Sequence, residues 1–344
     1  MKASVSIQRQ WPRTAAVAFD ASLKVEPGDF RVDESLPFEP TGEGEHLLVR
    51  LEKTGIGTPE LARLLADAHG MDHQDVGYAG MKDKRAVTTQ WFSLRGVTAL
   101  DEAVATLDGI RVLEVTRHRQ KLRRGQVGGN AFHVLLRDVP APRGQGGDGD
   151  LTDALQTLAA RGAPNYFGGQ RFGWDNLDRA TRWLSRRRRV RVSAFKQGLY
   201  LSVLRSYLFN EVLAARVNDG TWNTLVAGDV QDGRVLPTGP LWGRGRNAVT
   251  DAAAEVERLA LAPHAALLDG LEHAGLTQAR RPLVVIPQDF TWHRQDDRLE
   301  LRFTLGAGEY ATSLLGDVFE LHEPGAGDPD AGGFEADEPG EAVA

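Results

Sequence analysis

The spacing of apolar and polar residues changes period several times along the chain, and each change marks an element. Val87 to Leu94, VTTQWFSL, is rich in β-branched and aromatic residues and reads as a strand. Asp75 to Ala79 reads as a shorter strand before it. Between them, Met81 to Arg85 forms an ordered turn with Asp83 at its tip, flanked by Lys82 and Lys84. Upstream, Leu23 to Glu34 (LKVEPGDFRVDE) reads as a strand broken by a Pro-Gly turn, and His46 to Thr54 as a further strand. TPELARLLADAHG carries helix punctuation: Thr58 can cap, Pro59 suits the first turn, Leu61, Leu64, Leu65 and Ala68 share a face, and Gly70 can stop it. Leu100 to Leu107 predicts a second helix and Ala131 to Val139 another strand.

After RGQGGDGD, residues 143–150, a flexible loop and candidate hinge, the period becomes helical. Helices are predicted over Leu151 to Arg161, Ala180 to Ser185, Gly198 to Arg216 and Ala252 to Leu261. Strand alternation returns late: Leu299, Leu301, Phe303 and Leu305 alternate with polar residues, as a half-buried strand requires. The order predicts an α+β chain, a mixed domain interrupted by a largely helical stretch, without internal repeats.

Composition narrows the function. With 344 residues, 41% of them hydrophobic and 26% charged, the chain can build two ordinary cores. It has no cysteine, which excludes disulfides, thiolate metal sites and cysteine nucleophiles. The first residues lack the apolar core of a secretory signal, and no apolar run approaches the roughly 20 residues that span a bilayer. A soluble, cytoplasmic protein with no membrane association is expected. The formal charge of −6 is unevenly placed. HEPGAGDPDAGGFEADEPGEAVA, residues 322–344, holds seven acids and no Lys or Arg, so a chain ending at Leu321 carries +1. Residues 322–344 read as a disordered acidic tail. Residues 117–124, RHRQKLRR, and 182–191, RWLSRRRRVR, hold five and six cations without an acid. Each suits a solvated face; together they tilt the reading towards a polyanion.

No HExxH, Walker A loop or GxSxG is present, and the nine histidines show no metal spacing. GRGRNA, residues 243–248, lacks the apolar strand that precedes a dinucleotide-binding loop. What remains is aromatics, glycines and cations placed together, in PNYFGGQRFG (Pro164 to Gly173) and RRGQVGGNAFHVLLR (Arg123 to Arg137). Such residues suit unstacked nucleotides as well as a protein core. These features alone point to RNA but leave open whether Asp83 is a catalytic acid or a solvated turn residue.

GYAGMKDKRAVTTQWF, HRQKLRRGQVGGNAF, PNYFGGQRFG and PTGPLWG together resemble the TruD family of tRNA pseudouridine synthases, from about Leu23 to about Leu321 and in the family's order. The resemblance implies a pseudouridine-synthase-type mixed or antiparallel sheet domain (1–164 and 284–321). A mainly helical insertion (165–283) interrupts it, with RNA bound in the cleft between. It implies conversion of uridine 13 of tRNA to pseudouridine. No electrons or groups leave in that isomerisation, so no cofactor or metal is expected. A monomer is expected because no heptad or exposed apolar repeat suggests a partner. Asp83 matches the catalytic aspartate, with the KDK lysines making a phosphate-friendly setting. Phe30, Asn130, Phe132 and Phe167 match pocket residues, with Phe132 as the stacking ring. Lys24 is a candidate cation for Asp83 or a structural strand lysine. Tyr310 departs from the family, which usually has phenylalanine before ATS, and its hydroxyl needs a partner if buried. The same chemistry on other RNAs, an RNA chaperone and a nucleoside hydrolase are the competing readings.

Overall fold

The computed structural model describes residues 4–6, 11–16, 18–140, 148–172, 175–185 and 191–324. In chain order the elements are β1 (Ser4–Ser6), β2 (Phe19–Ser22), β3 (Phe30–Ser35), β4 (His46–Lys53), α1 (Thr58–Ala68), β5 (Val76–Tyr78), β6 (Val87–Arg95), α2 (Glu102–Ala105), β7 (Ile110–His118) and β8 (Gly129–Leu136). There follow α3 (Asp148–Arg161), β9 (Ala163–Pro164), α4 (Asn176–Leu184), α5 (Ala194–Asn218), β10 (Thr238–Leu241), α6 (Asp251–Leu261), α7 (Ala265–Glu272), β11 (Ala279–Pro282) and β12 (Val284–Val285). The chain closes with β13 (Gln288–Gln295), β14 (Arg298–Leu305), α8 (Ala311–Leu315) and β15 (Phe319–Pro324). The fold is α+β.

An eight-stranded mixed sheet runs β13-β14-β8-β3-β6-β4-β7, with β5 added beside β6. Only β3 and β6 pair in parallel within it. A smaller sheet sets β15 between β1 and β2. Register fixes which side chains share a face, because directly paired residues point the same way. Val32 lies opposite Phe132 and beside Thr88, Thr88 opposite Lys53, and Phe132 opposite Phe303. That single face carries two apolar clusters. Leu47, Val49, Leu51, Phe92 and Leu94 pack under α1, while Phe30, Val32, Phe132, Val134 and Phe303 pack with α3 and α8. Between the clusters runs a seam of polar side chains on the same face: Lys53, Thr88, Gln90, Glu34 and Asn130.

The helices α4 to α7 gather around α5, whose Leu204, Leu208, Phe209 and Leu213 are fully buried in a third cluster. The short β-ribbon β10–β11 and the segment Tyr166–Phe167 close this cluster.

Several expectations shift. Gly57, not Thr58, caps α1, and Glu60 Oε2 accepts the Gly57 N–H at 3.4 Å. Thr58 is already helical, which frees its hydroxyl for other partners. The helix expected over 100–107 is one turn, Glu102–Ala105, capped by Asp101. β7 was not visible as a strand because its charged residues, including Arg111, Glu114 and Arg117, mask any alternation on a sheet edge. Residues 322–324 belong to β15, where His322 pairs with both Ser6 and Ser22, so the tail cannot begin at 322. Residues 325–344 lie outside the described residues, as do 143–147 of the candidate hinge; 148–150 open α3.

Phe303 is 2% exposed and stacks on Phe132 and Phe290 at 5.3 and 5.6 Å. Phe303→Ala is expected to lower stability by about 3–5 kcal/mol in urea unfolding. A loss under about 1 kcal/mol contradicts this packing.

Candidate active site

The turn carrying Asp83 sits over the polar seam, and side chains of the seam hold its main chain. Lys53, fully buried, donates from Nζ to the carbonyls of Ile56 at 2.8 Å, Asp83 at 3.0 Å and Lys82 at 3.4 Å. Thr58 Oγ1 accepts the Lys82 N–H at 2.9 Å and donates to Gln90 Oε1 at 2.9 Å. Gln90 Nε2 in turn donates to Gly80 O at 2.5 Å. Lys82 turns inward, its Nζ 2.5 Å from Glu34, whose other oxygen accepts the Trp91 N–H at 3.2 Å. Lys82 is thus engaged within the fold and does not reach outwards as the phosphate-friendly setting required. Lys84 is exposed and pairs loosely with Glu60 at 3.4 Å. Backbone polar groups in a turn need partners, and here nearly every one comes from a residue distant in sequence.

The Asp83 carboxylate keeps a face to the outside, with its side chain 32% exposed. One oxygen accepts the Arg85 N–H at 2.9 Å, and the other forms a short hydrogen-bonded ion pair with Lys24 Nζ. Lys24 is 3% exposed and holds a left-handed backbone, φ 55°, which orients its side chain across the sheet. Its ammonium also lies 3.6 Å from Glu323 Oε1 and 4.9 Å from the Phe30 ring centre. Glu323, on β15, reaches Arg85 Nη1 at 3.9 Å. Asp83, Lys24, Glu323 and the Arg85 guanidinium therefore form a chain of alternating charge, and the Arg85 N–H links back to Asp83. Burial pushes the Asp83 carboxyl up, but the Lys24 charge and hydrogen bond, the Arg85 N–H and the Lys53 charge outweigh it. The net effect holds the group below the usual carboxylate value.

Phe30 and Phe132 meet edge to face at 5.9 Å. Phe132 stacks on Phe303 and is 8% exposed, so little of its ring is open to a base. Asn130, opposite Glu34 and Leu305, keeps a buried side-chain oxygen without a partner. Phe167 and Tyr310 form a second group. Their rings lie 6.4 Å apart, and the Asn210 amide brackets the Phe167 backbone with bonds of 2.9 Å to its N–H and carbonyl. Tyr310, 41% exposed, is not buried, so its hydroxyl does not need a protein partner.

Among the candidates, Lys24, Asp83 and Phe30 are brought into contact, with Phe132 packed behind Phe30. Sequence reading missed Lys53, Arg85, Glu323 and Arg281, the last with its guanidinium 4.2 Å from the Phe167 ring centre. Glu323 had a signal in the alternation of FELHEP, hidden by the acids that follow. The arginines at 186–189 lie outside the described residues. Within residues 117–124, Arg119 pairs with Glu43, and Lys121 and Arg124 bond Gln74 O at 2.5 Å and the Tyr78 hydroxyl at 3.1 Å.

The chain is similar in sequence to known proteins. The family model for tRNA pseudouridine synthase D (TruD) matches residues 11–180. The tRNA pseudouridine synthase D of Marinobacter nauticus is 42% identical, over 91% of this chain and 95% of its own. That of Methylococcus capsulatus is 41% identical, over 88% and 92%. This chain belongs to the TruD family of tRNA pseudouridine synthases. A crystal structure assigned to TruD from Methanosarcina mazei has the same fold, with a TM-score of 0.67 and 21% identity over 90% of this chain and 95% of that one. As a TruD-family member, the chain belongs to a family of isomerases.

Lys53 gives this TruD-family site a pH signature. Burial, only partly offset by Asp83, lowers its ammonium from 10.5 to about 8. Between those values the unfolded chain keeps a proton that the folded chain has released, so stability rises with pH. Relative to Lys53→Met, the wild type is expected to gain on the order of 3 kcal/mol from pH 8 to 10.5 in urea titrations. A difference that stays constant with pH contradicts the assignment.

Proposed function

We propose that this protein converts uridine 13 of tRNA to pseudouridine, with Asp83 as the carboxylate that acts on the sugar. The observation that carries the reading is the Asp83 geometry: a turn fixed by buried partners, and a carboxylate kept ionised by Lys24 and turned outwards. Isomerising uridine breaks C1′–N1, turns the base and joins C5 to C1′; C5 gives up a proton and N1 gains one. No electrons and no groups leave, so the chemistry asks for neither a redox cofactor nor a metal. An ionised carboxylate can attack C1′ or take the C2′ proton, and both routes place it against one face of the ribose. Lys24 must loosen its pair with Asp83 as the sugar arrives, and Glu323 offers the ammonium a second carboxylate meanwhile.

The target base has to leave its stack at a cost of a few kcal/mol, which the pocket offsets by packing and hydrogen bonding. We assign that packing to Phe30 and Phe132, and one hydrogen bond to the unpartnered Asn130 amide. Phe167 and Tyr310 line the pocket from the helical side. In this reading the sheet domain spans 1–164 and 284–324, and residues 165–283 form the insertion that helps hold the RNA. The protein acts as a cytoplasmic monomer; no helix among the described residues is long and apolar enough to cross a membrane.

The test is tritium release from tRNA transcripts labelled at uridine C5, with the modified position mapped afterwards. The wild type is expected to release tritium from position 13, and Asp83→Asn to lose more than about a thousandfold in rate while still binding tRNA. Release by Asp83→Asn at the wild-type rate removes Asp83 from the chemistry. Binding without release by either protein favours an RNA chaperone, and free uracil a hydrolase.

A further inference from the structure

Two arginines meet at the Phe167 ring. The guanidinium carbons of Arg281 and Arg171 lie 4.2 and 5.7 Å from its centre. Arg281 donates to Asn165 Oδ1 at 2.6 Å and to Gly308 O at 2.9 Å, while Arg171 donates to the Ser202 hydroxyl. These acceptors are all neutral, as is the Asn165 carbonyl 3.4 Å from Arg281. Neither arginine forms an ion pair among the described residues. Glu309, whose charge reaches Arg281, is already bonded to Arg234 at 3.2 Å and to the Gly306 N–H at 2.9 Å. The Nε of each arginine is buried without a partner.

Other partly buried arginines in the same half of the molecule are mostly paired; Arg205 is the exception, donating only to the Leu241 and Thr277 carbonyls at 2.8 and 2.9 Å. Arg216 has Asp229 at 2.9 Å, and Arg280, the neighbour of Arg281, has Glu257 at 2.6 Å. A guanidinium taken out of water without a counter-charge is costly, and Arg171 and Arg281 differ from Arg205 in that both lie over one aromatic ring. Burial, opposed by Tyr310 and Glu309 and reinforced by Arg171, pushes Arg281 down to about 10. Two guanidinium groups over one ring, near enough for Arg171 to act on Arg281, suit a phosphate, whose oxygens accept paired, charge-assisted bonds. The exposed Tyr310 ring, 5.9 Å from the Arg281 guanidinium, lies next to them.

We propose that Arg171 and Arg281 form a binding site for a backbone phosphodiester of the RNA substrate, beside Phe167 and Tyr310. The inference rests on the reading that the protein acts on tRNA. It separates these two residues from the exposed basic runs, because their counter-charge has to come from the ligand.

The experiment measures the dissociation constant of an unmodified tRNA transcript against NaCl concentration for wild type, Arg171→Gln, Arg281→Gln and Arg281→Lys. Thermal melts run alongside. Each Gln variant is expected to weaken binding about tenfold and to flatten the log–log salt slope by about one phosphate contact. Arg281→Lys should restore most of the slope, because it keeps the charge. Arg171→Gln guards against misfolding: its one described side-chain hydrogen bond goes to Ser202, and its melting temperature should stay near that of the wild type. Slopes equal to wild type in both folded Gln variants overturn the site. Weakened binding with an unchanged slope overturns it too, as that is the mark of a structural role. Tritium release by the wild type, measured on the same transcripts, tests the reaction separately, so a failed reaction and a failed phosphate site give different results.

Discussion

The Lys24 ammonium is the interaction on which the site depends. It is almost wholly buried, and a buried charge is tolerable only where opposite charges and oriented dipoles replace its water. Here they come from Asp83, Glu323 and the face of the Phe30 ring. These groups belong to the turn before β6, the last strand of the fold and the start of β3, so neutralising one cation ties three distant segments together. The left-handed backbone of Lys24 is the local cost, and such strain persists only where surroundings determine it. The benefit is a carboxylate ionised well into acid, at a known position, with one side open.

The sheet supplies the rest by an unusual division of one face. Two apolar clusters provide the stability, and the polar seam between them supports the turn. Lys53, Thr58 and Gln90 together anchor the main chain of residues 80–83, and Glu34 holds the Lys82 side chain. A satisfied buried network of this kind fixes geometry better than an apolar core does, because each member has one good arrangement. It costs some desolvation, visible in the lowered Lys53, and that cost is accepted where the reacting group needs to be rigid.

Much of this was legible in the chain, for physical reasons. Strands with strict alternation, such as Arg298–Leu305, and helices with a clear apolar face came through at nearly their observed bounds. The turn at Asp83 stood out because glycine, lysine and strand signals bracket it. What was hidden depends on partners far apart in sequence. Nothing local distinguishes Lys53 from any strand lysine until Asp83 and Ile56 are folded onto it. Thr58 looked like a helix cap because that is the commonest use of threonine there, and tertiary contact overrode it. Glu323 was lost in a run of acids, although strand pairing takes the chain to Pro324. The packing of Phe132 between Phe30 and Phe303 likewise depends on strands far apart in sequence.

The central claim is that Lys24 sets the state of Asp83, and a carbon-13 NMR titration of the Asp83 carboxyl tests it directly in wild type and Lys24→Met. The account predicts that the wild-type carboxyl titrates below the usual carboxylate range, and that in Lys24→Met it titrates at higher pH, because burial then meets less opposition. Superimposable titrations in the two proteins, with both folded, would contradict the account, because Lys24 would then be a packing residue and the order of the site would need another cause.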